Sequence, residues 1–98
     1  MTIDGGVRLL AGRPETEGRD FLPGLASVAR LGSMRHVRVA PSGAIYWSLR
    51  DDNSINVLTP AGEVQRVIEL ADQPVDFVVE PGGTLLVAVA SAILRVQP

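Results

Sequence analysis

His36 is the only histidine of this 98-residue chain, and it follows Arg35 at the head of the run Val37-Arg38-Val39. One imidazole can serve as acid, base or metal ligand near neutral pH, but it cannot build a multi-histidine metal site within one chain. Its plainer reading is a half-exposed histidine at a strand edge. Asp51, Asp52 and Asn53 form an oxygen-rich loop between two apolar runs. Calcium loops alternate their acidic ligands and end on a glutamate. That spacing is absent here, and three consecutive polar residues read more simply as a turn. Asp72 and Gln73 lie in a later connector of the same kind, and Asp76 follows. Arg35, His36, Asp51, Asp52, Asp72 and Asp76 are therefore the candidate ligand-binding residues. No phosphate-cradling glycine loop, G-x-S-x-G elbow or paired-carboxylate motif occurs. The residues assign no catalytic group, no metal site and no cofactor.

Composition narrows the classes further. Hydrophobic residues make up 46% of the chain and charged residues 20%, the balance of a globular domain rather than a disordered one. Nine basic residues, all arginine, stand against eleven acidic ones. A mildly acidic surface lacks the positive field with which nucleic-acid and anionic-membrane binding begin. The arginines are dispersed and form no arginine/aromatic platform for bases. With no cysteine, disulfides, thiolate metal sites and a cysteine nucleophile are excluded. The first residues do not read as a signal peptide, and no window approaches the ~18 apolar residues of a membrane span. The expectation is a soluble chain, cytoplasmic by default, with neither nucleic acid nor membrane as partner.

The elements that must position these residues are short β-branched runs cut by Pro/Gly turns. Val7 to Leu10 is the first. His36 to Val39 ends at Ala40-Pro41-Ser42-Gly43. Ala44 to Leu49 stops at the polar 50–54 stretch, and Ile55 to Leu58 breaks at Thr59-Pro60-Ala61-Gly62. Val64 to Leu70 follows, then Val75 to Val79, the turn Glu80-Pro81-Gly82-Gly83, Thr84 to Val89, and Ile93 to Val96. Tyr46 and Trp47 are adjacent and so face opposite sides of their strand. Residues 12–35 interrupt the pattern. Their prolines and glycines argue for a surface connector, with Pro23 to Leu31 reading as one or two helical turns ahead of Gly32. An unusually long loop of this kind also fits a functional lid.

The chain repeats itself. A shift of 40 residues places Pro41 on Pro81, Gly43 on Gly83, Val39 on Val79, Ile45 on Leu85 and Trp47 on Val87. After a connector two residues shorter, Ile55 falls on Ile93, Leu58 on Val96 and Pro60 on Pro98. A period near 40 with three or four strands per unit is that of a propeller blade. A βαβ unit is excluded because no helical period appears between Val37 and Pro98. The first unit has four strands and the second only three. The run Asp4-Gly5-Gly6-Val7-Arg8-Leu9-Leu10 matches Ala61 to Val67, so the N-terminal strand is expected to complete the second unit and cover its edge. The expected fold is all-β, with two four-stranded antiparallel blades. Blade A spans about 36–70, blade B about 75–98 plus the strand 7–11, and the connector covers 12–35.

At these residues the chain resembles the NHL-repeat family of β-propellers, over Val7 to Pro98. Val7 to Gly12 is similar to an outer strand ending in Ala-Gly, and Gly24 to Leu31 to the small-residue stretch before a new blade. Val37 to Trp47 looks like the inner strand, Pro-x-Gly turn and second strand, and Ile55 to Gly62 like the third strand and its turn. Two departures stand out. Leu49 and Val89 occupy the place of the family's frequent aspartate, and two repeats are short of its usual ring of roughly six. The resemblance implies packing between blades for Trp47. It implies no reaction, because propeller folds host scaffolds, sensors and enzymes alike.

Two blades cannot close a ring. Repeat units bury their faces against neighbours, so open faces are expected to expose Ile45, Trp47, Leu85 and Val87. Three copies would supply six blades, and self-association as a homotrimer is the favoured assembly. In such a ring His36, and Asp76 at the equivalent position, converge on the axis. The functional expectation is a non-catalytic binding or assembly module presenting its loops to a protein or small ligand. The alternative is a hydrolase- or lyase-like enzyme with an axial site formed on oligomerisation. A structural piece of a larger or engineered propeller is a third reading.

Overall fold

The computed structural model describes residues 2–3, 7–8, 10–11, 21–26, 29–50 and 52–97. Every element among them is a strand: β1 (Thr2–Ile3), β2 (Val7–Arg8), β3 (Phe21–Leu22), β4 (Gly24–Leu25), β5 (Arg30–Leu31), β6 (Met34–Val39), β7 (Ile45–Leu49), β8 (Ser54–Leu58), β9 (Glu63–Glu69), β10 (Asp76–Val79), β11 (Leu85–Val89) and β12 (Ala92–Val96). Among the described residues, no helix is long and apolar enough to cross a membrane. Two antiparallel meanders carry the fold: a five-stranded sheet in the order β4-β9-β8-β7-β6, and a three-stranded sheet in the order β10-β11-β12. The β1–β2 and β3–β5 pairs make two small ribbons.

Three hairpins use the same turn, and the sequence states why. In each, Pro stands two positions after the last strand residue, and Gly two positions after Pro. Gly43, Gly62 and Gly83 have φ of 93°, 90° and 88°. Their N–H groups donate to Ala40, Thr59 and Glu80 carbonyls, each at 2.9 Å. Ala40, Thr59 and Glu80 in turn donate across the hairpin to Ala44, Glu63 and Thr84, each at 2.8 Å. Pro presets the second position of a type I turn, and Gly takes the left-handed residue that closes a three-residue loop. These turns fix the registers Val39↔Ile45, Leu58↔Val64 and Val79↔Leu85.

Register decides which side chains share a face. On the five-stranded sheet, Val37, Val39, Ile45, Trp47 and Leu58 lie on one side, the front. Tyr46, Ile55 and Val57 lie on the back. The three-stranded sheet packs its own front, with Phe77, Leu85 and Val87, against that back. Ile55, Phe77, Leu85 and Val87 are all buried there, with Tyr46, Val67, Val79 and Val96 around them. Trp47, Leu49 and Val64 are buried on the opposite side beneath Ala29 and Leu31, and Trp47 Nε1–H donates to the Leu31 carbonyl at 3.0 Å.

Several expectations are corrected. Val7–Arg8 pairs with Thr2–Ile3 through Thr2↔Arg8 and Ile3↔Val7, not with β12. Contact between strands so close in sequence closes a short loop at little entropic cost, whereas reaching β12 closes nearly the whole chain. The second sheet consequently has three strands among the described residues. The connector contributes a fifth strand to the first sheet, where Gly24↔Val64 and Leu25↔Glu63 pair against the otherwise bare edge of β9. Of the expected helical turns, one hydrogen bond of that span is present, from Ala29 N–H to the Leu25 carbonyl at 2.9 Å. Trp47, Leu85 and Val87 are buried rather than exposed. Trp47 is covered by the connector, and the other two face the first sheet.

Candidate functional site

The only meeting of titratable side chains from the two sheets among the described residues lies where β6 and β10 run side by side. These two strands are the inner edges of their sheets and share no hydrogen-bonded ladder. Within the register shift of β6 between Met34 and Val37, Arg35 is exposed and His36 half-buried; Val37 and Val39 are exposed and Arg38 is half-buried on the other side. Asp76 opens β10 and meets that side. Arg38 Nη2 donates to Asp76 Oδ1 at 2.7 Å, and Arg38 Nη1 donates to the Val37 carbonyl at 3.0 Å. The guanidinium also lies 5.9 Å from the centre of the Phe77 ring, within cation–π range. Phe77 N–H donates to the same Asp76 oxygen at 2.7 Å. His36 Nδ1 is 3.8 Å from it, too far for a hydrogen bond but close enough for attraction to a protonated imidazole.

One carboxylate oxygen thus collects an arginine, a backbone N–H and the approach of an imidazole. The chemistry open to this group is electrostatic. Ser48 Oγ accepts the backbone N–H of His36 at 3.3 Å and is fully buried. Among the described residues, no three His, Cys, Asp or Glu side chains gather as metal ligands.

Comparison of the chain with protein-family models, with curated proteins and with solved structures finds no match. The site must therefore be read from its own geometry.

Of the six residues singled out in the sequence, five are described, and His36 and Asp76 are the two among them that come together. Arg35 is exposed, within the stretch of β6 where the register shifts between Met34 and Val37. Asp52 is tied to Arg66, whose Nη2 donates to Asp52 Oδ2 at 2.6 Å while Nη1 donates to Glu69 Oε1 at 2.6 Å. That bridge braces the β8–β9 hairpin, where Leu70 N–H also donates to the Asn53 carbonyl at 2.6 Å. Asp72 is exposed in the connector between the sheets, and Asp51 lies outside the described residues. Sequence reasoning missed Arg38. The signal was the two-residue spacing from His36, which places both side chains on one face of a strand.

Proposed function

We propose that this chain is a non-catalytic, propeller-type module whose two sheets act as blades and which works by assembling with further copies, most simply three chains in a six-bladed ring. One observation carries the reading: both outer faces of the two-sheet stack present large apolar side chains. Val37 and Val39 are 46% and 68% exposed on the front, and Val78 and Ile93 are 49% and 78% exposed on the back. Contiguous exposed apolar faces mark interaction surfaces, and repeat units stack through such faces. The Pro-x-Gly turns and the NHL-type strand pattern support the blade assignment. The Arg38–Asp76–His36 group at the inner edges is the place where an assembled ring would offer charge to a small ligand or a protein loop.

Light scattering on a sizing column tests the proposal. A discrete species of three chains is expected, and a folded monomer at all concentrations overturns it.

A further inference from the structure

We infer that the open back of the three-stranded sheet seats the front of the five-stranded sheet of a second copy, head to tail, in the register the chain already uses between its own two sheets. This rests on the assembly reading above and names the surfaces and residues that meet.

The argument is positional. The internal junction buries Tyr46, Ile55 and Val57 of one sheet against Phe77, Val79, Leu85 and Val87 of the other. The 40-residue repeat assigns most of them an apolar equivalent at the open faces; Val57 instead falls on Arg95, and Val87 on Trp47, which the connector covers. Leu86 stands for Tyr46 and Ile93 for Ile55, whereas Val37, Val39 and Ile45 stand for Phe77, Val79 and Leu85. Exposure is reversed at two pairs of equivalents. Ile55 is fully buried and Ile93 is 78% exposed; Phe77 is 2% exposed and Val37 46%. Val37, Val39 and Ile93 at the open faces match Phe77, Val79 and Ile55 of the internal junction, whereas the open Val78 matches Arg38. A next copy in the same register would therefore cover both open faces with surfaces of matching chemistry.

The shapes agree with this. A hollow of ≈ 310 Å³ on the front is lined by Leu31, Met34, Val37, Ile45, Trp47 and Leu58, among others. A shallower one of ≈ 230 Å³ on the back is lined by Phe77, Val78, Leu86, Ala88 and Ile93 beside Asp76. Ala29 and Leu31 roof the part of the front over Trp47 and Leu49, so the incoming copy meets the inner half, around Val37, Val39 and Ile45. Charge separates the two kinds of junction. Arg38 and Asp76 tie the internal one; their equivalents, Val78 and His36, place no ion pair between copies. Back-to-back pairing instead sets Arg95, which shares the Leu86 side, against its own copy.

The chain has no cysteine, so directed cross-linking reads the register cleanly. Val37→Cys and Ile93→Cys both alter exposed positions and leave the buried core intact. Under mild oxidation, a mixture of the two single variants is expected to give an interchain disulfide that neither variant gives alone. Cross-linking of the Ile93→Cys protein with itself to the same extent would overturn the head-to-tail register. So would a mixture that fails to cross-link although light scattering shows an oligomer. A folded monomer by light scattering overturns the assembly reading itself, which keeps the two failures distinct. Ile93→Arg is expected to reduce the oligomer to single chains with its β circular dichroism retained; an unchanged oligomer would overturn the inference.

Discussion

Arg38 and Asp76 lie in different sheets and meet through a 2.7 Å hydrogen-bonded ion pair, tying the inner edge of one sheet to that of the next. Their side chains are 35% and 48% exposed, so solvent screens much of the Coulomb energy. A double-mutant cycle with Arg38→Met and Asp76→Asn is expected to give a coupling of about 0.5–1 kcal/mol in unfolding free energy. That coupling should shrink as salt is added. Zero coupling at low salt would mean that the pair forms without stabilising the junction.

Trp47 is the only tryptophan and is 1% exposed, with its Nε1–H on the Leu31 carbonyl. Its fluorescence should report whether the connector sits on the front of the first sheet. Trp47→Phe keeps an aromatic ring but removes the donor to a carbonyl of the covering segment. Chemical denaturation should show a loss of about 1–2 kcal/mol. No loss would show that the carbonyl finds water as readily as the indole.

Asn56 is fully buried, opposite Trp47 in the β7–β8 ladder. Its Nδ2 donates to Ser54 Oγ at 3.1 Å, while its Oδ1 meets no protein donor among the described residues. A buried carbonyl without a partner costs about 1–3 kcal/mol. Asn56→Val alone would leave the buried Ser54 Oγ without its donor. The double substitution Ser54→Ala with Asn56→Val is therefore the one expected to raise stability by about 1 kcal/mol. A loss of stability would instead point to an ordered water on Oδ1.

Gly62 closes the β8–β9 hairpin at φ of 90°, and a Cβ there would meet nothing within 4 Å. The cost of Gly62→Ala is thus confined to backbone strain, about 1 kcal/mol. A melting curve showing a much larger loss would mean that the turn has changed type and shifted the β8–β9 register.

Much of the local structure is legible in the residues themselves. Alternating apolar runs and the three Pro-x-Gly turns place β6 to β12 within a residue or two, because strand period and turn geometry depend on neighbours in sequence. The repeat likewise makes Trp47 equivalent to Val87 and Ile55 to Ile93, and it marks His36 and Asp76 as equivalent positions. Which of these are buried is not a local property. Ile55 and Ile93 have the same residue type and place in the repeat, but only Ile55 has a sheet packed over it.

The pairing of strands remote in sequence was decided only by the tertiary structure. The addition of Gly24–Leu25 beside β9 and the roof over Trp47 each rest on which unpaired edge or apolar face lies nearest in space. Arg38 joined the site for the same reason. Its spacing from His36 set its face, but only the stacking of the two sheets brought Asp76 to it. A chain of two repeats specifies its strands by near-neighbour chemistry, whereas its site arises where two sheet edges meet, a relation that residue spacing along one strand does not carry.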